Sequence, residues 1–161
     1  MGSEVLCTDG ALTVRRFREG DLPELAALLA DPEVMRWLEP PFDRARAAEF
    51  LRVAGLSEPP LIYAAEEDGA FLGYVIFHRY GDEDAAELGW VLRRSAWGRG
   101  YAGRLTALLL SAAEGKWAEA VIECAPEQRA SARVAEKLGF REEGMADGCR
   151  IFRRTVPRDG T

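Results

Sequence analysis

The sequence predicts a mixed α+β fold. Three observations carry this. The apolar period switches along the chain between two, the mark of strands, and 3.6, the mark of helices. Strand-like runs fall in adjacent pairs, as hairpins do, rather than in a strict strand–helix–strand alternation. A glycine-rich turn, Trp97-Gly98-Arg99-Gly100-Tyr101-Ala102, joins a strand-like run to a helix-like one.

The elements follow in order. After a polar start, Leu12-Thr13-Val14-Arg15-Arg16-Phe17 reads as a first strand. Asp21 then opens a helix with Pro23 in its first turn and Leu22, Leu25, Ala26, Leu28 and Leu29 as its apolar set. Asp31-Pro32 interrupts it, and a short helical turn through Val34 and Trp37 is expected. Asp43 can cap a helix reaching about Val53, and residues 55–60 form a loop. Two strands, 61–65 and 71–77, meet near Asp68-Gly69. The acidic loop Asp82-Glu83-Asp84 leads to a fourth strand at about Ala86 to Leu92. Tyr101, Leu105, Leu108, Leu109 and Ala112 give the next helix one apolar face. A fifth strand at 120–124, a helix at about 131–138 stopped by Gly139, and two strands near 140–142 and 150–156 complete the chain. The order is β-α-α-β-β-β-α-β-α-β-β, with no internal repeat.

Length and composition narrow the class. A chain of 161 residues reads as one domain, residues 1–161, with a core at about 12–156. Hydrophobic residues at 48% and charged ones at 30% are ordinary for a soluble globular protein. No apolar run approaches the ~20 residues of a membrane span, and the first residues do not read as a secretory signal. Cys7, Cys124 and Cys149 are too few and too scattered for a disulfide framework, so a reducing cytoplasm is the expected setting. A net charge of −6 argues against a general nucleic-acid binder and is compatible with a cationic substrate.

Against that acidity the glycine turn stands out. Arg93, Arg94, Arg99 and Arg104 lie in or beside it, and no acid occurs between Leu88 and Ala113. A glycine turn entering a helix exposes unpaired N–H groups and the positive end of the helix dipole, a seat for phosphate. It is not a Walker A loop, since no Gly-Lys-Ser/Thr follows. Gly98, Gly100 and Gly103 spell Gly-x-Gly-x-x-Gly, but a dinucleotide fold places that motif on its first strand, and here hairpins precede it. The plain alternative is a tight turn at a helix start.

A second segment, Gln128-Arg129-Ala130-Ser131-Ala132-Arg133-Val134-Ala135-Glu136-Lys137-Leu138-Gly139-Phe140, adds a family. Together with Trp97–Ala102 it resembles the GNAT N-acetyltransferases. The first stretch is similar to that family's acyl-CoA pyrophosphate loop, and the second to its Asn-x-x-Ser…Gly-Phe signature. Two departures stand: Trp97 at the usual Gln/Arg position, and Gln128 at the usual Asn. The Trp-Gly-Arg-Gly-Tyr-Ala form resembles the branch of ribosomal-protein N-terminal Ala/Ser acetyltransferases.

The resemblance implies a central, mostly antiparallel twisted sheet of about seven strands, splayed between the fourth and fifth and flanked by about four helices. It implies acetyl-CoA as acyl donor, with no metal, and an amine acceptor. Partners would include neither nucleic acid nor membrane, and the protein would be a monomer or homodimer. Val91 and Leu92 would bond the pantetheine arm. Trp97, Gly98, Arg99, Gly100, Tyr101, Ala102, Gly103 and Arg104 would form the pyrophosphate loop, with Arg94, Arg99 and Arg104 as charge partners. Gln128 and Ser131 would approach the pantetheine or thioester.

For chemistry, Glu87 is the leading general base, on the strand face shared with Gly89 and Val91, while Leu88, Trp90 and Leu92 line the other. The competing reading is a structural or rim carboxylate. Ser131 either protonates the leaving thiolate, binds the cofactor or caps a helix; Tyr101 either packs in the core or against the cofactor. His78, the only histidine, has no evident partner and reads as a surface or packing residue. Trp37, Phe42, Tyr74 and Tyr80 are aromatic candidates for an acceptor wall, and the acidic loop for attraction of a cation. The expected acceptor is a protein or peptide N-terminal α-amine. The alternatives are a small-molecule amine, such as an antibiotic or polyamine, or a non-catalytic acyl-CoA-binding module.

Overall fold

The structure is a computed structural model that describes residues 4–157; residues 1–3 and 158–161, the ends of the predicted domain, lie outside the described residues. Eight strands form one sheet: β1 Val5–Asp9, β2 Leu12–Arg15, β3 Ile62–Glu67, β4 Ala70–Arg79, β5 Ala85–Leu92, β6 Glu119–Cys124, β7 Arg141–Ala146 and β8 Cys149–Thr155. Their spatial order is β1-β2-β3-β4-β5-β6-β8-β7. Every neighbouring pair is antiparallel except β5 and β6. Four helices flank the sheet: α1 Leu22–Ala30, α2 Arg44–Phe50, α3 Tyr101–Ala113 and α4 Arg129–Lys137.

One strand exceeds the expected seven. β1 lies in the stretch that reads as a polar start, because its outer positions are exposed and only Leu6 and Cys7 touch the core. Backbone pairing to β2 through the turn at Gly10, and a Thr8–Thr13 hydroxyl contact of 3.1 Å, hold it in place. The short helical turn through Val34 and Trp37 stays at isolated turns and does not extend into a helix: the Met35 N–H donates to Asp31 O and the Leu38 N–H to Met35 O, with Met35 buried and Trp37 exposed. Asp43 does cap α2, accepting the Arg46 N–H at 2.8 Å, and α2 widens into a π-type turn over Leu51–Gly55.

Side-chain alternation gives the sheet two different faces. One is covered by α3 and α4: Leu88, Leu92, Ile122 and Phe152 from the strands meet Leu105, Leu109, Ala132 and Ala135. The other is covered by α1 and α2 only over its first half, where Ile62, Ala64, Tyr74 and Val91 meet Leu25, Leu29, Phe42 and Leu51. Further along that second face, a small cluster of Ala85, Val121 and Ile151, edged by Tyr80 and Cys149, includes no helix residue. The buried Arg15 anchors the helical half: its guanidinium holds Asp21 through two bonds of 2.9 Å and Glu66 through one of 3.0 Å.

Candidate active site

The sheet splits where the sequence places its glycine turn. β5 pairs with β6 only at Ala85, Ala86 and Glu87. From Leu88 to Leu92 it continues with β4 alone, so the expected splay is present. The Val91 carbonyl is turned toward β4, and the Arg93 N–H donates to Leu72 O at 2.8 Å. Antiparallel alternation therefore turns the backbone groups of Trp90 and Leu92 to the open side. This corrects one half of the expected pair: Leu92 faces the gap, Val91 does not, and Trp90 takes its place. Sequence alone could not assign this parity, because it depends on the β4 register.

Gly73 makes that register possible. Its φ is +148°, and a Cβ there would lie 2.1 Å from Val91 O and 2.8 Å from Leu92 Cα. The β4 backbone thus approaches the end of β5 more closely than any side chain allows.

Beyond β5, a short 3-10 turn at Arg94–Ala96 leads into the loop. Gly98 (φ +74°) and Gly100 (φ +81°) both take the left-handed conformation, and α3 starts at Tyr101. No acceptor within the described protein meets the N–H groups of residues 98–103; the first return bond is Arg104 N–H to Gly100 O, at 3.2 Å. Consecutive free donors at a helix N-terminus suit a diphosphate. Trp97 fastens this loop to the strand: its indole N–H donates to Leu92 O at 2.8 Å, while the residue remains 48% exposed.

The arginines divide. Arg99 has no ion-pair partner among the described residues. Arg94 is drawn away to Asp31 at 2.8 Å, holding that carboxyl below its usual range. Arg104 lies 3.5 Å from Glu67, and its guanidinium sits over the Tyr101 ring. Tyr101 itself is a core residue, its hydroxyl donating to Glu67. Ala102 and Gly103 form the first turn of α3.

In the second segment, the Gln128 side-chain oxygen accepts the Ala125 N–H at 2.8 Å, closing the turn between β6 and α4. α4 begins at Arg129, so Ser131 is its third residue and not its cap, and the helix has no side-chain cap bond. The half-buried Ser131 hydroxyl makes no hydrogen bond to the described protein.

Glu87 occupies the last position that β5 shares with β6, on the face that the helices leave uncovered. Burial raises its pKa above the ordinary carboxylate value, and Glu123 pushes the same way, against a lowering by His78. His78 is its register partner on β4, with Nε2 3.5 Å from the Glu87 carboxylate and Nδ1 2.7 Å from Arg79 O. The surface or packing reading of His78 therefore gives way to a place beside Glu87, visible only once the strands are paired. Tyr80 donates to Glu123 at 2.6 Å, and that bond raises its pKa.

Other acceptor-side candidates sort themselves. Phe42 and Tyr74 are buried and both contact Phe50, whereas Trp37 is exposed under Arg36. The acidic loop is tied down. Glu83 accepts from Arg153 at 2.8 Å, and Asp84 accepts the Ala118 N–H. In a surface hollow of about 610 Å³ lined in part by Glu119, Glu143 and Arg153, the Arg153 guanidinium is likewise engaged, by Glu119 and Glu143.

A sheet split at one strand, a free-amide loop beyond it and a carboxylate at the fork define an acyl-CoA-dependent transferase. The model of the acetyltransferase (GNAT) domain matches residues 11–141, and the chain belongs to that family. It is similar to the uncharacterized N-acetyltransferase YnaD of Bacillus subtilis (strain 168), 26% identical over 155 residues, 94% of this chain and 88% of that one. Its fold is also that of RimL, the ribosomal alpha-N-protein acetyltransferase, with TM-score 0.80, 22% identity, and 96% and 95% of the two chains covered. Spermidine N-acetyltransferase from Vibrio cholerae shares the fold at TM-score 0.77 and 18% identity, with 91% and 96% covered. The protein is an N-acetyltransferase that uses acetyl-CoA as its acyl donor. Among the described residues, no helix is long and apolar enough to cross a membrane, and no group of three or more His, Cys, Asp or Glu is placed to hold a metal ion.

Proposed function

We propose that the enzyme acetylates the N-terminal α-amine of a protein or peptide by direct transfer, with Glu87 as general base. The observation that carries this is the placement of Glu87: partly buried, at the fork of the sheet, on the uncovered face. Acetyl-CoA supplies an activated acetyl thioester. The free amides of residues 98–103 and the Arg99 guanidinium would hold its diphosphate, and the outward backbone of Trp90 and Leu92 its pantetheine arm. Gln128, in the β6–α4 turn, and Ser131, in the first turn of α4, would approach its pantetheine or thioester end.

An amine attacks only when neutral, so the chain must first remove a proton from an ammonium group. An α-amine has a pKa near 8, an alkylamine near 10.4. A carboxylate that burial has made more basic is about two units better matched to the first, roughly 3 kcal/mol of proton-transfer cost. His78 lies within reach to pass the proton outward. The likeness to RimL and the Trp97–Ala102 motif support the same acceptor. Three free cysteines agree with a reducing cytoplasm.

A polyamine acceptor is the second reading. Glu123 beside Glu87 would attract a second ammonium group, and the likeness to the spermidine enzyme adds to it. A mass-spectrometric screen decides: the protein with acetyl-CoA and a panel of peptides differing at their first residue, against spermidine, spermine and aminoglycosides. Acetylated peptide N-termini support the proposal, and acetylated polyamines alone overturn it.

A further inference from the structure

Tyr80 follows β4 and packs on the apolar cluster of Ala85, Val121 and Ile151 on the uncovered sheet face. Its backbone N–H donates to Ala85 O at 2.8 Å, so its root lies beside the start of β5. Its hydroxyl donates to Glu123 of β6 at 2.6 Å, and the ring therefore reaches across β5 to hold a carboxylate on the far side. Glu123 stands two residues beyond Val121, the β6 partner of Glu87. It is thus the first residue of β6 beyond the fork to share the face of Glu87. With strands ~4.8 Å apart and rising ~3.3 Å per residue, the two backbones are about 8 Å apart at these positions, before the splay adds to it.

Charge pairing sets Glu123 apart. Arg153, a cation of this face, is claimed by Glu83, Glu119 and Glu143 at 2.8 to 3.1 Å. Glu123 makes no ion pair among the described residues, and its partner is a phenol whose pKa that bond raises, so the partner stays neutral. The Glu123 charge is held in place without being cancelled.

We propose that Tyr80 and Glu123 form a fixed-charge pair that tunes Glu87: the phenol pins the Glu123 carboxylate beside the fork, and that charge favours the proton's arrival on Glu87. The proposal rests on the reading of Glu87 as general base and deepens it. The groups facing Glu87 are His78 and Tyr80 from the β4 side, Glu123 from β6 and Cys149 from β8. Burial and the neighbouring carboxylates keep the Cys149 thiol neutral, and a protonated His78 acts in the opposite sense. Glu123 is the negative charge among them. A carboxylate is a poor match for the proton of an ammonium group, and a like charge close by narrows the difference. Pinning matters because a carboxylate free to swing into water is screened. Both are positioning residues that act through Glu87.

Glu123→Gln keeps an oxygen for the Tyr80 hydroxyl and removes the charge. The acidic limb of kcat/KM, the one that Glu87→Gln abolishes, should then move to lower pH. At ~8 Å and an effective dielectric between ~20 and bulk water, the shift should be about half to one and a half units. On the plateau kcat should fall about threefold, with KM for acetyl-CoA and thermal unfolding as in wild type. Tyr80→Phe keeps the charge but frees it, and should move the limb the same way by a smaller amount. The double variant should move it no further than Glu123→Gln alone, because Tyr80 acts only through Glu123. A structural role would alter stability and leave the limb in place. An unmoved limb in Glu123→Gln overturns the proposal, as do shifts that add in the double variant. Should that variant fold poorly, Tyr80→Phe decides, since an unmoved limb there removes the pinning. If Glu87→Gln itself retains the limb, the general-base reading falls, and this proposal with it.

Discussion

The two halves of β5 contrast. Ala85–Glu87 is paired on both sides, antiparallel to β4 and parallel to β6. Leu88–Leu92 is paired on one side only. Both halves bury apolar side chains against the α3 and α4 face, so burial does not separate them. Backbone satisfaction does. In the first half the peptide groups are spent within the protein. In the second, alternate ones face a gap, as on an exposed sheet edge, and an extended ligand can pair with them as an added strand. Glu87 is the last residue paired on both sides and stands next to the open half, the placement that the proposed proton transfer would need.

The largest effect should come from closing the approach that shapes the open half. Gly73→Val places a branched side chain against the Val91 carbonyl, in a backbone conformation that valine does not adopt. The end of β5 must shift, and about 3 kcal/mol of stability should be lost in denaturant titration. Acetyl-CoA affinity by calorimetry should fall by roughly two orders of magnitude or more, since the two peptide groups facing the gap move together. Full binding by a folded Gly73→Val variant would show that the open half tolerates displacement.

Next in size is Glu87→Gln, which tests the boundary between the halves. Loss of a general base should lower kcat about 10²- to 10³-fold with acetyl-CoA binding retained. The pH dependence has a definite sign. Burial raises the carboxyl pKa in the folded state, so the folded protein holds a proton there more tightly than the unfolded chain does. This group's contribution to stability is therefore favourable at low pH and lost as pH rises past the ordinary carboxylate value through the raised one. The glutamine variant should thus be no less stable than wild type at neutral pH. The acidic limb of kcat/KM should lie above the usual carboxylate range and disappear in the variant.

The same contrast explains what could be read from residues alone. The alternation Leu88, Trp90, Leu92 against Glu87, Gly89, Val91 placed both faces of β5 correctly, because side-chain period is local. Backbone parity is not local, so residues alone assign Val91 a gap-facing backbone that the β4 register gives to Trp90. The Glu87–His78 pair likewise exists only through the register of β4 on β5. β1 went unseen for a related reason: an edge strand held by backbone pairing needs little apolar patterning. Arg94 carries the right charge at the right place in the chain, but Asp31, 63 residues away, claims it.

A smaller effect is expected where the open half turns into the loop. Gly100 has a left-handed φ with open space around it, so alanine there meets strain but no clash. That conformation costs a non-glycine residue about 1 kcal/mol or slightly more. Gly100→Ala should weaken acetyl-CoA about tenfold, through misdirected amides at the start of α3, and lower stability by about 1 kcal/mol. Unchanged affinity would mean that residues 98–103 do not hold the diphosphate.

Trp97→Phe should act least. It keeps an aromatic ring at the loop and removes only the N–H that reaches Leu92 O at 2.8 Å. A single neutral hydrogen bond at a half-exposed site contributes about 1 kcal/mol, so acetyl-CoA KM should rise about fivefold with kcat nearly constant. The freed Leu92 carbonyl can then accept from the pantetheine arm instead, which offsets part of the loss. The direction of the residual effect separates two roles for Trp97. A net rise in KM means that its main work is to fasten the loop to β5. A net fall means that the indole competes with the ligand for the one carbonyl that both can reach.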